Sequence, residues 1–173
     1  ADGSLRFATP AGETRVGADA TVLALGGGSW ARLGSDGAWL PLLVARGINV
    51  QPLRPANCGF NLAWSDHLRQ RFAGTPVKNV AATFAAPDGT TIRRQGEFLI
   101  TGHGIEGTLV YALSAALREG IASGGSATLH LDLAPGFTLQ RLGEKLSHPR
   151  GRDSLSNHLR RRAGIDGVKA ALL

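Results

Sequence analysis

The sequence contains a single cysteine, Cys58, in 173 residues. One cysteine cannot form an internal disulfide, and no CxxC pair is present to bind a metal or to carry out thiol redox chemistry. The five histidines lack the spacing of a metal site, so we predict no metal. Sparse, unpaired cysteine is typical of reducing compartments, and we expect a cytoplasmic protein.

Long apolar runs and excess charge are also missing. No apolar run approaches the roughly 18 residues that cross a membrane, and no segment resembles a secretory signal, so we expect no membrane association. Charged residues make up 18% of the chain and hydrophobic residues 43%. This composition excludes a disordered chain and is typical of a globular fold with a core.

Methionine is absent, and no G-x-G-x-x-G motif follows a strand near the N-terminus. Where that motif occurs, it binds the pyrophosphate of a dinucleotide. The sequence also ends at Leu173 within a helical pattern. If the chain is part of a dinucleotide-binding protein, we therefore interpret it as the middle fragment of a longer protein.

Glycine is abundant and is concentrated where a ligand can approach the backbone. The apolar run Thr21–Leu25 stops at the segment Gly26–Ser29, which Trp30 follows. A short apolar run that is bounded by glycine predicts a buried strand. Glycines at the carboxyl end of a strand let backbone N–H groups approach a phosphate or a planar ring. A flexible turn between a strand and a helix would explain the same glycines.

A second glycine-rich segment, Thr101–Gly107, precedes a predicted helix. Glycines at a helix N-terminus expose N–H donors to an anion or a carbonyl group. His103 in this segment is a candidate proton donor to a substrate, because histidine exchanges protons near neutral pH. The alternative is that His103 is an ordinary loop residue that hydrogen-bonds to the backbone.

Four ordered stretches of the chain resemble a known family: Leu23–Trp30 with Gly34–Gly37, Pro55–Phe60, Leu99–Gly107 and Leu131–Pro135. They are similar to segments of BaiN/YhiN-like bacterial flavoproteins. Those proteins are NAD(P)/FAD-dependent oxidoreductases whose dinucleotide-binding domain carries a large inserted domain. Glu106 stands where the family more often has serine.

The resemblance implies that the parent protein is an FAD-dependent oxidoreductase that acts on a small-molecule substrate. The cofactor-binding residues that it implies are Gly26, Gly27, Gly28, Ser29 and Trp30. The substrate-facing loop that it implies comprises Thr101, Gly102, Gly104 and Ile105. The expected partner is the missing remainder of the FAD-binding domain. Without it, we expect the fragment to be inactive, colourless and free of cofactor.

The pattern of elements predicts an α+β fold in three parts. Residues 1–54 are predicted to be a hairpin, strand and helix left from a flavin-binding domain, and two prolines near residue 55 mark the boundary. Residues 55–134 are predicted to form a β-rich, barrel-like insert with one long helix. Residues 135–173 are predicted to form a small basic helical subdomain.

The individual elements follow from periodicity, turn residues and caps. Pro87-Asp88-Gly89 predicts a hairpin turn. Thr138, and either Asp153 or Ser154, are predicted helix caps, and Gly120 is a predicted helix end. The predicted strands lie at 4–8, 14–18, 21–25, 48–50, 80–85, 90–94, 98–101 and 126–133, and the longest predicted helix lies at about 106–119.

Positive charge is concentrated at the C-terminus. Residues 135–173 carry 8 Lys+Arg against 3 Asp+Glu, whereas residues 1–134 carry 11 against 10. The segment Leu159–Ala170 resembles a helix–hairpin–helix turn, whose backbone amides hold a DNA phosphate. Nucleic-acid binding through this segment is therefore the alternative function. Because an arginine run is more often a solvated helix face, we expect such binding to be weak and non-specific.

Overall fold

The structure is a computed structural model, and it describes residues 4–173. The contacts within it divide the chain into two compact units, residues 1–54 (unit 1) and residues 55–173 (unit 2).

Unit 1 begins with the predicted antiparallel hairpin. Strand β1 (Leu5–Thr9) pairs with β2 (Gly12–Val16) along its whole length. After a short 3-10 turn at Ala31–Leu33, the chain enters helix α1 (Trp39–Val44), and Gly47 with φ +76° follows it. No residue between 4 and 54 is buried, so the described part of unit 1 has no core of its own.

Two predicted strands of unit 1 are wrong. Residues 21–25 and 48–50 form no strand, and Val22 and Leu23 are exposed. A strand forms where a neighbouring chain satisfies its backbone N–H and C=O groups. Within residues 4–54, neither segment has such a neighbour.

Unit 2 is built on a five-stranded antiparallel sheet. Its strands are β3 (Phe60–Asn61), β4 (Pro76–Ala85), β5 (Thr91–Ile100), β6 (Gly104–Glu106) and β7 (Leu129–Asp132). The order across the sheet is β3-β6-β5-β4-β7, and the sheet curls into a half-barrel with β3 and β7 at its two edges. The predicted α+β, barrel-like architecture is confirmed.

The hairpin between β4 and β5 forms at the predicted turn. Asp88 Oδ1 accepts the N–H of Thr90 at 2.8 Å, and this bond lowers the pKa of the Asp88 carboxyl. Both strands are longer than predicted. The separate strand predicted at 98–101 is wrong, because β5 continues without a break to Ile100.

Unit 2 also contains six helices: α2 (Asp66–Phe72), α3 (Thr108–Tyr111), α4 (Ser114–Gly124), α5 (Leu139–Leu146), α6 (Leu155–Ala163) and α7 (Gly167–Ala171). Two caps follow the sequence prediction. Thr138 Oγ1 accepts the N–H of Arg141 at the start of α5, and Ser154 Oγ accepts the N–H of Asn157 at the start of α6.

The single helix predicted at 106–119 is wrong at both ends. Glu106 belongs to β6, and Gly107 with φ +105° separates that strand from α3. Gly120 does not end α4. A Cβ at Gly120 would lie 2.7 Å from Cζ of Phe84, so the absent side chain makes room for the aromatic ring.

The main core lies between the sheet and helices α3 and α4. Its most deeply buried large side chains are Val77, Val80, Ile100, Val110 and Leu113. A second, smaller cluster of buried residues comprises Ala134, Ala163 and Ile165, with Phe137, Leu142, Leu146, Leu159 and Ala170 packed against it.

The C-terminal helices bury only some of their apolar side chains. Leu139 is 88% exposed and Leu155 is 58% exposed, so neither contributes to the small cluster. Val168 and Leu172 pack against the main core instead. The helical segment after residue 134 therefore contacts the sheet unit directly.

Lys169 connects α7 to a strained point of the sheet. Strand β4 has a bulge between Val77 and Val80, where Asn79 adopts φ +51°. Lys169 Nζ donates to the carbonyl oxygen of Asn79 at 2.9 Å and to that of Leu133 at 2.8 Å. Partial burial lowers the pKa of the Lys169 amine.

We expect Lys169→Met to destabilise unit 2, because it keeps the aliphatic stem but removes both charged hydrogen bonds. The expected loss in the free energy of unfolding is about 1–3 kcal/mol, measured by urea denaturation. Lys78→Met is the matched control, since Lys78 is an exposed residue of β4 beside the same bulge. Equal stability of the two variants would show that the Lys169 bonds contribute nothing.

Candidate functional site

The glycine-rich loop of unit 1, Gly26–Trp30, has a defined conformation. Gly27 O accepts the N–H of Gly37 at 3.0 Å, and Gly26 O accepts the indole N–H of Trp39 at 3.1 Å. Trp30 and Ser35 exchange two backbone hydrogen bonds. The loop is therefore held by the following turn and α1, through its carbonyl groups.

The three glycines of this loop have different steric reasons to be glycine. Gly26 has φ +74°, which side-chain-bearing residues rarely adopt. A Cβ at Gly28 would lie 2.9 Å from Cδ1 of Leu53, so this half-exposed side chain would have to shift. A Cβ at Gly27 would meet only Ser35 Oγ, at an ordinary 3.6 Å. Nothing inside the described part of unit 1 requires glycine at position 27.

The donor groups of the loop are available to a ligand. Among residues 4–173, no acceptor is hydrogen-bonded to the backbone N–H of Gly27, Gly28 or Ser29. The indole of Trp30 is 66% exposed directly after them. Successive free N–H groups suit an anion or the polar edge of a ring, and an exposed indole suits an aromatic face. These residues fit a flavin.

In the second predicted segment, Thr101–Gly107, residues 101–103 form a tight turn between β5 and β6, and Gly104–Glu106 form β6 itself. Thr101 N donates to Gly104 O at 2.8 Å, and Thr101 Oγ1 accepts the N–H of His103 at 3.3 Å. His103 is exposed, and its carbonyl oxygen accepts the N–H of Leu62 at 2.9 Å. Thr101, Gly102 and His103 are thus the accessible part of the turn.

Gly104 and Ile105 lie inside unit 2. A Cβ at Gly104 would overlap the carbonyl oxygen of Phe60 on the neighbouring strand, and Gly104 O accepts the indole N–H of Trp64 at 3.1 Å. Ile105 is 8% exposed and belongs to the main core. Both residues therefore have a structural role in the contact between β3 and β6.

A cleft of about 530 Å³ opens in unit 2 where the half-barrel is not closed. Helix α4 contributes Leu117 and Ile121 to the cleft, and β6 contributes Ile105. The remaining walls come from the edge strands β3 and β7 and from the residues beside them. The sequence analysis missed this cleft. In the predicted strand at 126–133, Ala127, Leu129 and Leu131 alternate with polar residues, which predicts an apolar inward face. Only the order of the strands shows where the sheet stays open.

The basic C-terminal segment does form two helices joined at Gly164, with φ +66°. Three of the basic and amide groups of this segment are used within the protein, however. Lys169 binds two carbonyl oxygens, the N–H of Gly164 donates to Arg160 O, and Arg161 pairs with Asp153 at 3.0 Å. This arrangement gives no support to a nucleic-acid interface.

Two further kinds of site have no counterpart in the described residues. Between residues 4 and 173, no group of three or more His, Cys, Asp or Glu side chains is arranged to hold a metal ion. No helix in the same part of the chain is long and apolar enough to cross a membrane.

Comparison with known proteins agrees with the fold and with the sequence resemblance. Residues 54–173 match the family described as "HI0933-like protein barrel and H2TH domain". Over 131 residues, the chain is 29% identical to a 3-dehydro-bile acid delta(4,6)-reductase of Clostridium scindens, covering 75% of this chain and 31% of that enzyme. The chain thus spans about a third of the curated relative. The match over unit 2 confirms the resemblance to BaiN/YhiN-like flavoproteins, and the chain belongs to the HI0933-like barrel and H2TH domain family.

Proposed function

We propose that this chain is part of an FAD-dependent oxidoreductase and contributes to its flavin and substrate sites. Three observations support the proposal: the family match, the reductase relative and the ligand-ready loop at Gly26–Trp30. The loop carries most of the argument, because the carbonyl groups of Gly26, Gly27 and Trp30 are bonded within unit 1 while three successive N–H groups are not. When bound, a flavin supplies the electron transfer that amino-acid side chains cannot.

In this proposal the loop binds and orients the flavin. The N–H groups of Gly27, Gly28 and Ser29 donate to a polar edge or phosphate, and Trp30 covers an aromatic face. Substrate approaches the turn at Thr101 and Gly102, whereas Gly104 and Ile105 are buried and support the turn from inside unit 2. We propose His103, which is exposed at the tip of this turn, as the proton donor to the substrate that the flavin reduces.

The proposed partner of unit 1 is the dinucleotide-binding segment of the same flavoprotein. Unit 1 exposes large apolar side chains and buries no residue among 4–54, which a segment folded alone in water would not do. The side chains exposed in this way include Phe7, Val22, Leu23, Trp30, Leu33 and Leu42. We expect docking onto that segment to bury these side chains and to give residues 21–25 a neighbouring strand. The segment would also supply the pyrophosphate site. The cytoplasm is the proposed location.

Gly27→Ala is the sharpest test of the flavin loop. The methyl group meets only Ser35 Oγ, at an ordinary 3.6 Å, so we expect the stability to be unchanged. In the proposed site, the same methyl group would hinder the close approach of a ligand to the N–H groups of the loop. In the flavoprotein that joins this chain to its dinucleotide-binding segment, we expect the FAD dissociation constant to rise by about tenfold or more, equivalent to about 1.4 kcal/mol. Flavin absorbance during ultrafiltration measures it.

Gly17→Ala is the matched control, because Gly17 is also exposed in unit 1 and no atom lies within 4 Å of an added Cβ. The control should bind FAD as the unmodified protein does. Identical flavin affinity in the two variants, with both folded, would remove the loop from the cofactor site. A flavoprotein that binds no FAD at all would refute the wider proposal.

A further inference from the structure

The cleft of unit 2 lies between the two edges of the half-barrel. Its walls combine residues from β3 and the segment after it with residues from β7 and the segment before it, and α4 closes its floor. The lining residues are mostly apolar, and the largest side chains among them are Phe60, Leu62, Ile105, Leu117, Ile121 and Leu129. Leu62 remains 42% exposed at the mouth. Apolar surface of this extent is left open to solvent in an otherwise packed unit.

The side chains that line the cleft limit the kind of ligand that it can bind. Among the described residues, no charged side chain lines the cleft, although the chain as a whole has a net charge of +6. Of the lining residues in that part of the chain, only Asn61 and Ser126 have polar side chains. A charged ligand would lose its hydration without gaining a partner, whereas a neutral one would lose little and could use a single polar group. We propose that this cleft binds a neutral, largely apolar small molecule with a hydroxyl or keto group.

The dimensions favour a small molecule over a polypeptide. A volume of about 530 Å³ lies within the range of small-molecule pockets. A stable protein interface needs about 800 Å² from each partner. The eleven residues that line the cleft, two of them glycines, are too few to supply that area. The open edges are also short, with two residues in β3 and four in β7, so an added strand would form few hydrogen bonds. The inference concerns unit 2 alone and does not depend on flavin binding.

Methyl NMR of the full chain tests the proposal with internal controls. The chain has six isoleucines, of which Ile105 and Ile121 line the cleft, whereas Ile48 lies in unit 1 and Ile165 in the small cluster. With isoleucine methyl groups labelled, 2-naphthol is the neutral probe and 2-naphthoate is its charged counterpart. We expect saturable shifts at Ile105 and Ile121 with 2-naphthol, and affinity about tenfold weaker for 2-naphthoate.

Variants localise the probe. Ala127→Phe fills the cleft and should weaken 2-naphthol binding by about tenfold or more, whereas Thr128→Phe, at the next and exposed position, should leave it within about twofold. Leu62→Glu places a charge at the exposed mouth without repacking the core, and Leu155→Glu is its control on α6. Only Leu62→Glu should reduce binding.

Three outcomes would overturn the proposal. The first is that the methyl chemical shifts change linearly with 2-naphthol concentration, and equally at Ile48 and Ile165, which indicates non-specific apolar contact. The second is that each variant binds 2-naphthol as tightly as its control does, for the Ala127→Phe pair and for the Leu62→Glu pair alike. The third is that the methyl chemical shifts of Ile105 and Ile121 change with protein concentration alone, which indicates that a second copy of the chain occupies the cleft.

Discussion

A polypeptide of residues 55–173 should fold alone and unfold in one cooperative transition, whereas residues 1–54 alone should show none. All buried hydrophobic residues of the described chain lie between Leu68 and Ile165. Most of these residues form a main core and a second, smaller cluster. A domain of that size is expected to have a free energy of unfolding of about 5–15 kcal/mol. Removing unit 1 takes no buried side chain from it.

Circular dichroism during urea denaturation measures both polypeptides. We expect the midpoint for residues 55–173 to equal that of the full chain, and residues 1–54 to lack a sigmoidal transition because chains of this size bury too little surface without a core. If residues 55–173 fail to fold, unit 1 contributes to the core of unit 2 after all. A sharp transition of residues 1–54 would contradict the proposal that unit 1 needs a docking partner.

Gly104→Ala should be the most damaging small substitution in unit 2. The added methyl group overlaps the carbonyl oxygen of Phe60 and lies 2.8 Å from Asn61 Cα, so β3 must separate from β6. Both contacts are backbone atoms, which cannot move aside as a flexible side chain can. The bond from Trp64 to Gly104 O is expected to break as well. The expected loss is about 3 kcal/mol or more in the free energy of unfolding.

Gly102→Ala is a matched control in the same turn, because no atom lies within 4 Å of an added Cβ and its φ is ordinary. Its cost should stay below about 1 kcal/mol. Urea denaturation of the two variants, followed by tryptophan fluorescence, gives the comparison. Equal stability would mean that β3 is not held against β6 as the structure shows, and the cleft between the sheet edges would then need a different description.

Local chemistry determined the features that the sequence predicted correctly. The turn at Pro87–Gly89 forms because Asp88 bonds to a backbone group two residues ahead, and Thr138 and Ser154 cap helices through groups three residues ahead. The alternation before Asp132 likewise depends only on the geometry of a strand. Each interaction spans a few residues, so no distant part of the chain can reverse it.

The glycine loop at Gly26–Trp30 is partly of this kind. Three consecutive glycines indicate a close backbone approach from sequence alone, but they do not tell which glycine serves a ligand. Backbone conformation accounts for Gly26, and a Cβ at Gly28 would displace the side chain of Leu53, whereas a Cβ at Gly27 would make only an ordinary contact. That distinction rests on contacts with residues far along the chain.

Tertiary contacts decided the rest, because they depend on residues that are distant in sequence. Gly120 continues a helix instead of ending it, since Phe84 occupies the space beside it. Lys169 binds the carbonyl oxygen of Asn79, 90 residues away, and so becomes a structural residue in a segment whose charge suggested a nucleic-acid partner. The apolar run at 21–25 stays unpaired because strand formation requires a neighbour, and the cleft exists only because the sheet stops short of closure. The sequence by itself therefore determined the turns, the caps and the family, whereas the long-range packing of backbone and side chains decided which of its motifs are structural and which surfaces remain open to a ligand.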